Sequence, residues 1–125
     1  MKILILEDSK ERIEWFKRIY KNHELFIFTD LVSAKNLIIF QEIDVLFLDH
    51  DLEEKNLEAV GLGLTGYDFC KFIVENYLCK HSAIFVHSMN PCGAAKMEEL
   101  LRDNGYEAQW IPFHLLKLED KNGRR

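Results

Sequence analysis

Residues 2–6 read Lys2-Ile3-Leu4-Ile5-Leu6, a nearly continuous apolar run that ends at the acidic pair Glu7-Asp8. A short apolar run of this kind is typical of a strand that is covered on both faces, as in a parallel sheet. Similar runs recur along the chain, and they predict four further strands over residues 24–28, 45–48, 83–86 and 107–111. The last of these is the least apolar, so we expect it to lie nearer an edge of the sheet.

Apolar residues recur with helical spacing between the predicted strands. They form four stripes: Ile13, Phe16, Ile19 and Tyr20; Val32, Ala34, Leu37, Ile38 and Phe40; Phe69, Phe72, Ile73, Tyr77 and Leu78; and Ala94, Met97, Leu100 and Leu101. Strands that alternate with single helices predict an α/β fold, here a flavodoxin-like, doubly wound parallel sheet of five strands. The residues after Phe113 leave little room for a full helix, so we expect the last helix to be shortened or absent. We therefore divide the chain into a domain of residues 1–113 and a C-terminal tail of residues 114–125.

The composition sets bounds on the class of protein. The 125 residues fit one domain, and 48% apolar with 30% charged residues are ordinary values for a globular protein. The net charge of −5 argues against a surface that coats nucleic acid by charge. No apolar run reaches the roughly 20 residues that a membrane-spanning helix needs. The three cysteines match no zinc pattern, and reduced thiols in a cytoplasmic protein are the plain interpretation.

Polar residues collect where three of the predicted strands end. Glu7-Asp8 follows the first strand, Asp49-His50-Asp51 follows the third, and His87-Ser88-Met89-Asn90 follows the fourth. The carboxyl ends of parallel strands meet at one edge of a sheet, where ligands bind near the point at which the strand order reverses. We therefore expect six side chains to converge in one cleft: Glu7, Asp8, Asp49, His50, His87 and Ser88.

Carboxylates that lie close together repel each other unless a cation lies among them or one of them is protonated. Glu7, Asp8 and Asp49 offer hard oxygen ligands, and these favour Mg²⁺ or Mn²⁺ over zinc. We therefore predict a divalent metal at these three residues. Asp8 could also, or instead, be the cap of the first helix.

A phosphate site is predicted beside the metal. The fourth helix begins at Asn90-Pro91, and its free amide groups point to the same edge of the sheet. Ser88 and Asn90 are the predicted phosphate-binding residues. Structural roles stay open, because Asn90 is also a good helix cap and Ser88 could bond only its own loop.

The segment of residues 52–64 is long for a connection and has no clear period, so we expect a mobile lid that closes over the site. Gly61 and Gly63 would give its backbone freedom. Together with Gly66 they match G-x-G-x-x-G, but a dinucleotide fingerprint follows its strand at once, within the first βαβ unit. A hinge is therefore the better interpretation of these glycines.

The placement of the polar residues resembles the receiver domain of two-component response regulators. The resemblance implies that Glu7-Asp8 bind Mg²⁺, that Asp49 accepts a phosphoryl group and that Ser88 senses it. Receivers also carry a lysine directly before a proline after strand five, where this chain has Ile111-Pro112. The cation that holds the acyl phosphate in receivers is thus missing at this position.

Three motifs narrow the resemblance. Leu48-Asp49-His50-Asp51-Leu52, Thr65-Gly66-Tyr67-Asp68 and His87-Ser88-Met89-Asn90-Pro91 with Gly93-Ala94 are similar to the cyclic-phosphate processing receiver domain, an offshoot of the receiver family. This resemblance covers residues 1–113. It implies the processing of cyclic phosphates on RNA ends or nucleotides in place of phosphorelay.

Opening a 2′,3′-cyclic phosphate requires an activated water and a protonated leaving oxygen, and two histidines can divide these roles near neutral pH. We therefore expect a phosphoesterase with His50 and His87 as acid and base and Asp49 in the same site. Asp51 would orient a histidine or bind metal. Both histidines are expected at the rim of the sheet, so their replacement should leave folding largely intact. The expected partner is a cyclic-phosphate nucleotide or RNA end, and a homodimer stays open.

Two other functions stay open from the residues. The first is an atypical receiver, which takes a phosphoryl group on Asp49 or docks a partner without phosphorylation. The second is a phosphatase that uses Asp49-His50-Asp51 as nucleophile and acid, but it lacks the lysine and the second acidic motif that such enzymes need.

Overall fold

The computed structural model describes residues 1–52 and 65–121, along which five strands and five helices alternate. The strands are β1 (Lys2–Leu6), β2 (Glu24–Phe28), β3 (Val45–Leu48), β4 (Ala83–Val86) and β5 (Glu107–Trp110). The helices are α1 (Lys10–Ile19), α2 (Leu31–Phe40), α3 (Gly66–Glu75), α4 (Pro91–Asp103) and α5 (Phe113–Lys121). Apart from Leu52, the predicted lid with Gly61 and Gly63 lies outside the described residues.

The strands form one sheet in the order β2-β1-β3-β4-β5, and all four pairings are parallel. This confirms the doubly wound, flavodoxin-like α/β fold. The register aligns Leu6 with Leu48 and Leu48 with Val86, so the three central strands end side by side. The residue that follows each of these strands therefore comes to the same place at the carboxyl edge.

Helices cover both faces of the sheet, as the continuous apolar strands require. Alternate residues of β1 point to opposite faces. Leu4 and Leu6 pack in one core cluster with residues of α2, α3 and α4, whereas Ile3 and Ile5 pack in the other with residues of α1 and α5. Within the described ranges, no helix has the length and apolar content to span a membrane.

Polar caps start the helices where the sequence places polar residues. Ser9 Oγ accepts from the backbone N of Arg12 at 3.4 Å, and Asp30 Oδ1 accepts from the backbone N of Ser33 at 2.8 Å. The carboxylate of Asp68 accepts from the backbone N of Thr65 at 2.9 Å, as in a capping box. These caps fix where the chain leaves each strand end and turns into the next helix.

Helix α5 occupies nine residues, so the last helix is present and short. The division between a domain of residues 1–113 and a tail of residues 114–125 stays a prediction. Within that tail, Leu116 is wholly buried in the cluster that also contains Trp15 and Phe113. The helix therefore belongs to the packing of the sheet face.

Leu116→Ala is expected to lower the free energy of unfolding by about 2–5 kcal/mol, the usual cost of a large-to-small change in a core. Leu115→Ala is the matched control, because Leu115 lies on the same helix and is 41% exposed. Urea unfolding of both variants measures the difference. Equal stabilities would mean that α5 does not contribute to the core.

Candidate active site

The site lies where the strand order reverses. Strand β1 has β2 on one side and β3 on the other, so the connections from β1 to β2 and from β2 to β3 run in opposite directions along the sheet. A surface cavity of about 500 Å³ opens at this point. It is lined by Glu7, Asp8, Ser9, Arg12, Asp49, Asp51, Ser88, Met89 and Asn90.

Glu7, Asp49 and His87 form a buried cluster directly behind the cavity. Their ligand atoms all lie within 4.8 Å of one another. The exposed fractions are 1%, 5% and 0%. His87 Nε2 lies 2.8 Å from Glu7 Oε1, whereas His87 Nδ1 is buried without a partner among the described residues. The aligned ends of β1, β3 and β4 bring the three residues together.

His87 does not lie at the rim of the sheet, so that expectation is wrong. Its ring packs against Phe16 of α1 and Phe113 of α5, with ring centroids 5.3 and 6.3 Å apart. The two helices of that face therefore close over it. Replacement of His87 is therefore expected to cost stability.

The acidic cluster differs from the predicted one in one member. Asp8 lines the cavity, but the buried group contains His87 with Glu7 and Asp49. The backbone N of Asp8 and of Ser9 both donate to Glu7 Oε2 at 3.0 Å. Glu7 is thus held from both sides, by backbone amides and by His87.

The two buried carboxyls have opposite pKa shifts. Burial raises the pKa of Glu7, but the hydrogen bond and charge of His87, the backbone N–H of Ser9 and the charge of Arg12 outweigh it, and the net pKa is lowered. For Asp49, burial raises the pKa and the charge of Glu7 adds to it. His87, the backbone N–H of His50 and Arg12 only partly offset this rise. Asp49 is therefore the less favourably ionised of the two.

These shifts predict opposite effects of pH on stability. Glu7 stabilises the fold above its unfolded pKa, and this contribution is lost as the pH falls through its folded pKa. Asp49 binds its proton more tightly when folded, so its ionisation costs stability as the pH rises through its raised pKa. Asp49→Asn should therefore be more stable than the wild type at neutral pH and equal to it in acid, whereas Glu7→Gln should be less stable at neutral pH. Urea unfolding from pH 7 into the acid range, with a chelator present, measures the direction of both stability changes. If Asp49→Asn is still more stable than the wild type in acid, the raised pKa of Asp49 is contradicted.

The donors of the buried cluster fit a divalent cation. Two carboxylates and one imidazole lie within reach of a single ion, and Asp49 lacks full compensation of its charge. Carboxylate oxygen suits Mg²⁺ and Mn²⁺, while imidazole suits transition metals. The choice between the two predicted ions, Mg²⁺ and Mn²⁺, stays a prediction.

His50 and Asp51 form a second pair at the end of β3. His50 Nδ1 lies 2.8 Å from Asp51 Oδ1, and the two side chains are 18% and 66% exposed. Asn90 Nδ2 lies 3.4 Å from the same ring nitrogen and donates to Asp51 Oδ1 at 3.3 Å. The backbone N of His50 donates to Asp49 Oδ1 at 2.8 Å. This pair is accessible, whereas His87 is not.

The two histidines differ in their surroundings and exposure. Asp51 lines the cavity described above, whereas His50 lines a neighbouring cavity of about 620 Å³ with Tyr67 and Lys96 among its walls. His87 is buried behind Glu7. The structure thus brings five of the six predicted residues to the cavity or its buried wall, whereas His50 lines the neighbouring cavity.

The predicted phosphate-binding residues are engaged in local structure. Ser88 is wholly buried, and its Oγ accepts from the backbone N of Asn90 at 3.0 Å. Asn90 Oδ1 accepts from the backbone N of Gly93 at 3.2 Å and so caps α4. Both residues line the cavity, and their role toward phosphate stays a prediction.

Arg12 is a residue of the site that the strand ends do not reveal. It lies in the first turn of α1, and its Nη1 is 3.6 Å from Glu7 Oε1 and 3.9 Å from Asp49 Oδ2. A cation in the first turn opposes the helix dipole, which favours acidic residues there. Lys10 shares this placement, so the sequence holds no signal that singles out Arg12.

One protein-family model covers most of the chain. The model of a family described as "Cyclic-phosphate processing Receiver domain" matches residues 2–103. Among curated proteins, none matches the chain.

Solved structures share the fold over nearly the whole chain. A CheY-like response regulator receiver domain from Methylobacillus flagellatus matches with a TM-score of 0.68 and 16% identity, over 99% of this chain and 97% of that one. A signal receiver domain from Vibrio parahaemolyticus has a TM-score of 0.67 and 17% identity, over 98% of this chain and 87% of that one. Chemotaxis protein CheY4 from Vibrio cholerae has a TM-score of 0.67 and 18% identity, over 98% of this chain and 96% of that one. At these identities the likeness concerns the fold.

Proposed function

The chain belongs to the cyclic-phosphate processing receiver domain family, and from that premise we propose that it is a phosphoesterase that hydrolyses a cyclic phosphate on a nucleotide or an RNA end. The observation that carries the proposal is the His50–Asp51 pair, 2.8 Å apart at an accessible strand end. It lies next to the buried cluster of Glu7, Asp49 and His87. Phosphate-ester hydrolysis needs proton-transfer groups, and a cation held by this cluster would supply the positive charge that a phosphoryl oxygen needs.

His50 is the group that takes a proton from water. A carboxylate only accepts hydrogen bonds, so the short contact with Asp51 Oδ1 puts the hydrogen of neutral His50 on Nδ1. Nε2 then carries the free lone pair and can act as a base. Asp51 is a positioning residue, because it sets the tautomer and the orientation of the ring.

Hydrolysis also requires a proton for the leaving ribose oxygen. Water attacks phosphorus, the bond from phosphorus to one ribose oxygen breaks, and that oxygen takes up a proton, so a phosphomonoester results. His87 is buried, so its part in this step passes through the carboxylates of Glu7 and Asp49, which separate it from the cavity. If a divalent cation is held by these three residues instead, it would polarise the phosphoryl oxygen. His87 is then a ligand with no proton to give on that side, and the leaving oxygen takes the proton that His50 removed from water.

The test is a screen of 2′,3′-cyclic nucleotides, RNA with a cyclic-phosphate end and cyclic dinucleotides, each with Mn²⁺, with Mg²⁺ and with a chelator. Conversion of one class to a phosphomonoester by the wild type, lost in His50→Ala, supports the proposal. No turnover of any class under all three conditions would refute it.

The three free cysteines, Cys70, Cys79 and Cys92, agree with a reducing compartment, and we place the activity in the cytoplasm.

Phosphorylation of Asp49 is the second candidate, because the solved structures of similar fold include receiver domains of response regulators. Asp49 directly follows β3 and lines the cavity at 5% exposure. Incubation with acetyl phosphate and Mg²⁺ followed by mass spectrometry tests it. A stable phosphoryl adduct on Asp49 would favour this candidate over hydrolysis.

A further inference from the structure

Arg12 supplies a cationic group to the cavity from the side of α1. Its Nη1 is within 4 Å of both Glu7 and Asp49, and its side chain is 28% exposed. The guanidinium carbon lies 5.0 Å from the ring centroid of Phe113, and this cation–π contact helps to hold the head group over the carboxylates. The group is therefore positioned and still open to the cavity.

Arg12 is the positive side chain that the cavity offers to an anionic ligand. Among the nine lining residues, Glu7, Asp8, Asp49 and Asp51 are acidic and Arg12 is the one lysine or arginine. A phosphate group that enters beside these carboxylates meets repulsion unless a positive charge faces it. Arg12 is placed to face it.

The guanidinium retains hydrogen-bonding capacity for such a ligand. Its contacts with Glu7 and Asp49, at 3.6 and 3.9 Å, are ion pairs longer than the roughly 2.7–3.2 Å of a direct hydrogen bond. A guanidinium has five N–H donors in a rigid fork that matches two oxygens of a phosphate. An arginine that only neutralised the two carboxylates would be expected to bond them directly.

We propose that Arg12 is the residue that binds the non-bridging oxygens of the substrate phosphate in this cavity. The inference deepens the proposed function and rests on it for the identity of the substrate. The ligand chemistry is a phosphate group beside a carboxylate cluster. Arg12 touches the reacting group in this proposal, so its loss should affect phosphate binding before it affects folding.

The test measures the binding of inorganic phosphate by isothermal titration calorimetry, in the presence of a chelator. Arg12→Ala and Arg12→Lys are compared with Arg18→Ala, which removes an exposed arginine from the last turn of the same helix. Loss of a charge-assisted bidentate contact should weaken phosphate binding at least about tenfold in Arg12→Ala. Arg12→Lys keeps the charge and loses the fork, so it should fall between Arg12→Ala and the wild type. Arg18→Ala should bind as the wild type does.

Circular dichroism and urea unfolding establish that each variant is folded, and Arg12→Lys keeps the test decisive if Arg12→Ala is not. Phosphate binding that is unchanged in the folded Arg12 variants, or absent in the wild type, overturns the inference. The readout is separate from turnover. If the protein cleaves a cyclic phosphate but the Arg12 variants bind phosphate normally, the proposed role of Arg12 is refuted and the proposed function stands. If phosphate binding depends on Arg12 but no cyclic phosphate is cleaved, the proposed function is refuted and the role of Arg12 in phosphate binding stands.

Discussion

Replacing His87 with alanine is expected to lower the free energy of unfolding by about 3–5 kcal/mol, because it removes a ring from the core and leaves a buried acceptor without its partner. The imidazole is wholly buried, and its Nε2 lies 2.8 Å from Glu7 Oε1, which is also buried. Alanine would leave the Glu7 carboxylate without this partner. It would also open a void beside the rings of Phe16 and Phe113.

His81→Ala is the matched control, because His81 is an exposed histidine just before the same strand, at its opposite end. Its stability should change by no more than about 0.5 kcal/mol. A double-mutant cycle of His87→Ala with Glu7→Gln isolates the pair, and the expected coupling is about 0.5–3 kcal/mol. Urea unfolding measures the four proteins of the cycle and His81→Ala. If His87→Ala is no less stable than His81→Ala, the buried pair does not hold the fold.

The buried position of His87 shows where inference from the sequence reaches its limit. The apolar runs located the strand ends, and parallel pairing then predicted that Asp49 and His87 meet at one edge. Whether a strand-end side chain is covered depends on the helices above it. Phe113 of α5 packs on His87, and a last helix that was expected to be short or absent gave no reason to expect this cover. The burial therefore followed from a tertiary contact across the chain.

The order of residues along the first strand limits which acidic residues can join the buried cluster. Successive side chains at the end of a strand point in opposite directions. Glu7 and Asp8 are consecutive, so only one of them can share the buried side with His87, and the structure puts Glu7 there. Arg12 was missed for another reason, because its long side chain reaches the site from a helix while the prediction considered strand ends.

His50→Ala is expected to lower turnover of a cyclic phosphate by about 10²–10⁴-fold, the usual contribution of one proton transfer. Its side chain is 18% exposed, and it is tied to Asp51 at the surface end of β3. The loss of stability should therefore be smaller than that of His87→Ala. His81→Ala again serves as control and should retain the activity of the wild type.

Gly93→Ala tests the same imidazole without removing it. A Cβ at Gly93 would lie 2.5 Å from atoms of the His50 ring, so the ring must move. Alanine is a better helix former than glycine by roughly 0.5–1 kcal/mol, so α4 itself has no reason to weaken. A fall in kcat with preserved folding would show that the orientation of the ring matters. Unchanged kcat in both Gly93→Ala and His50→Ala would remove His50 from the mechanism.

The order of His50→Ala and Asp49→Asn separates the two candidate functions. In a phosphoesterase, His50→Ala removes the base and has the larger effect on turnover, whereas Asp49→Asn removes one charge from the cluster and weakens the metal dependence or the orientation of the phosphate. In a receiver, Asp49→Asn abolishes modification by acetyl phosphate, because an amide cannot accept the phosphoryl group, and His50→Ala has a modest effect. The backbone N of His50 bonds Asp49 Oδ1 in either case, and this contact survives the alanine substitution. The two variants therefore report on the chemistry of each side chain and leave the connection between the two residues in place.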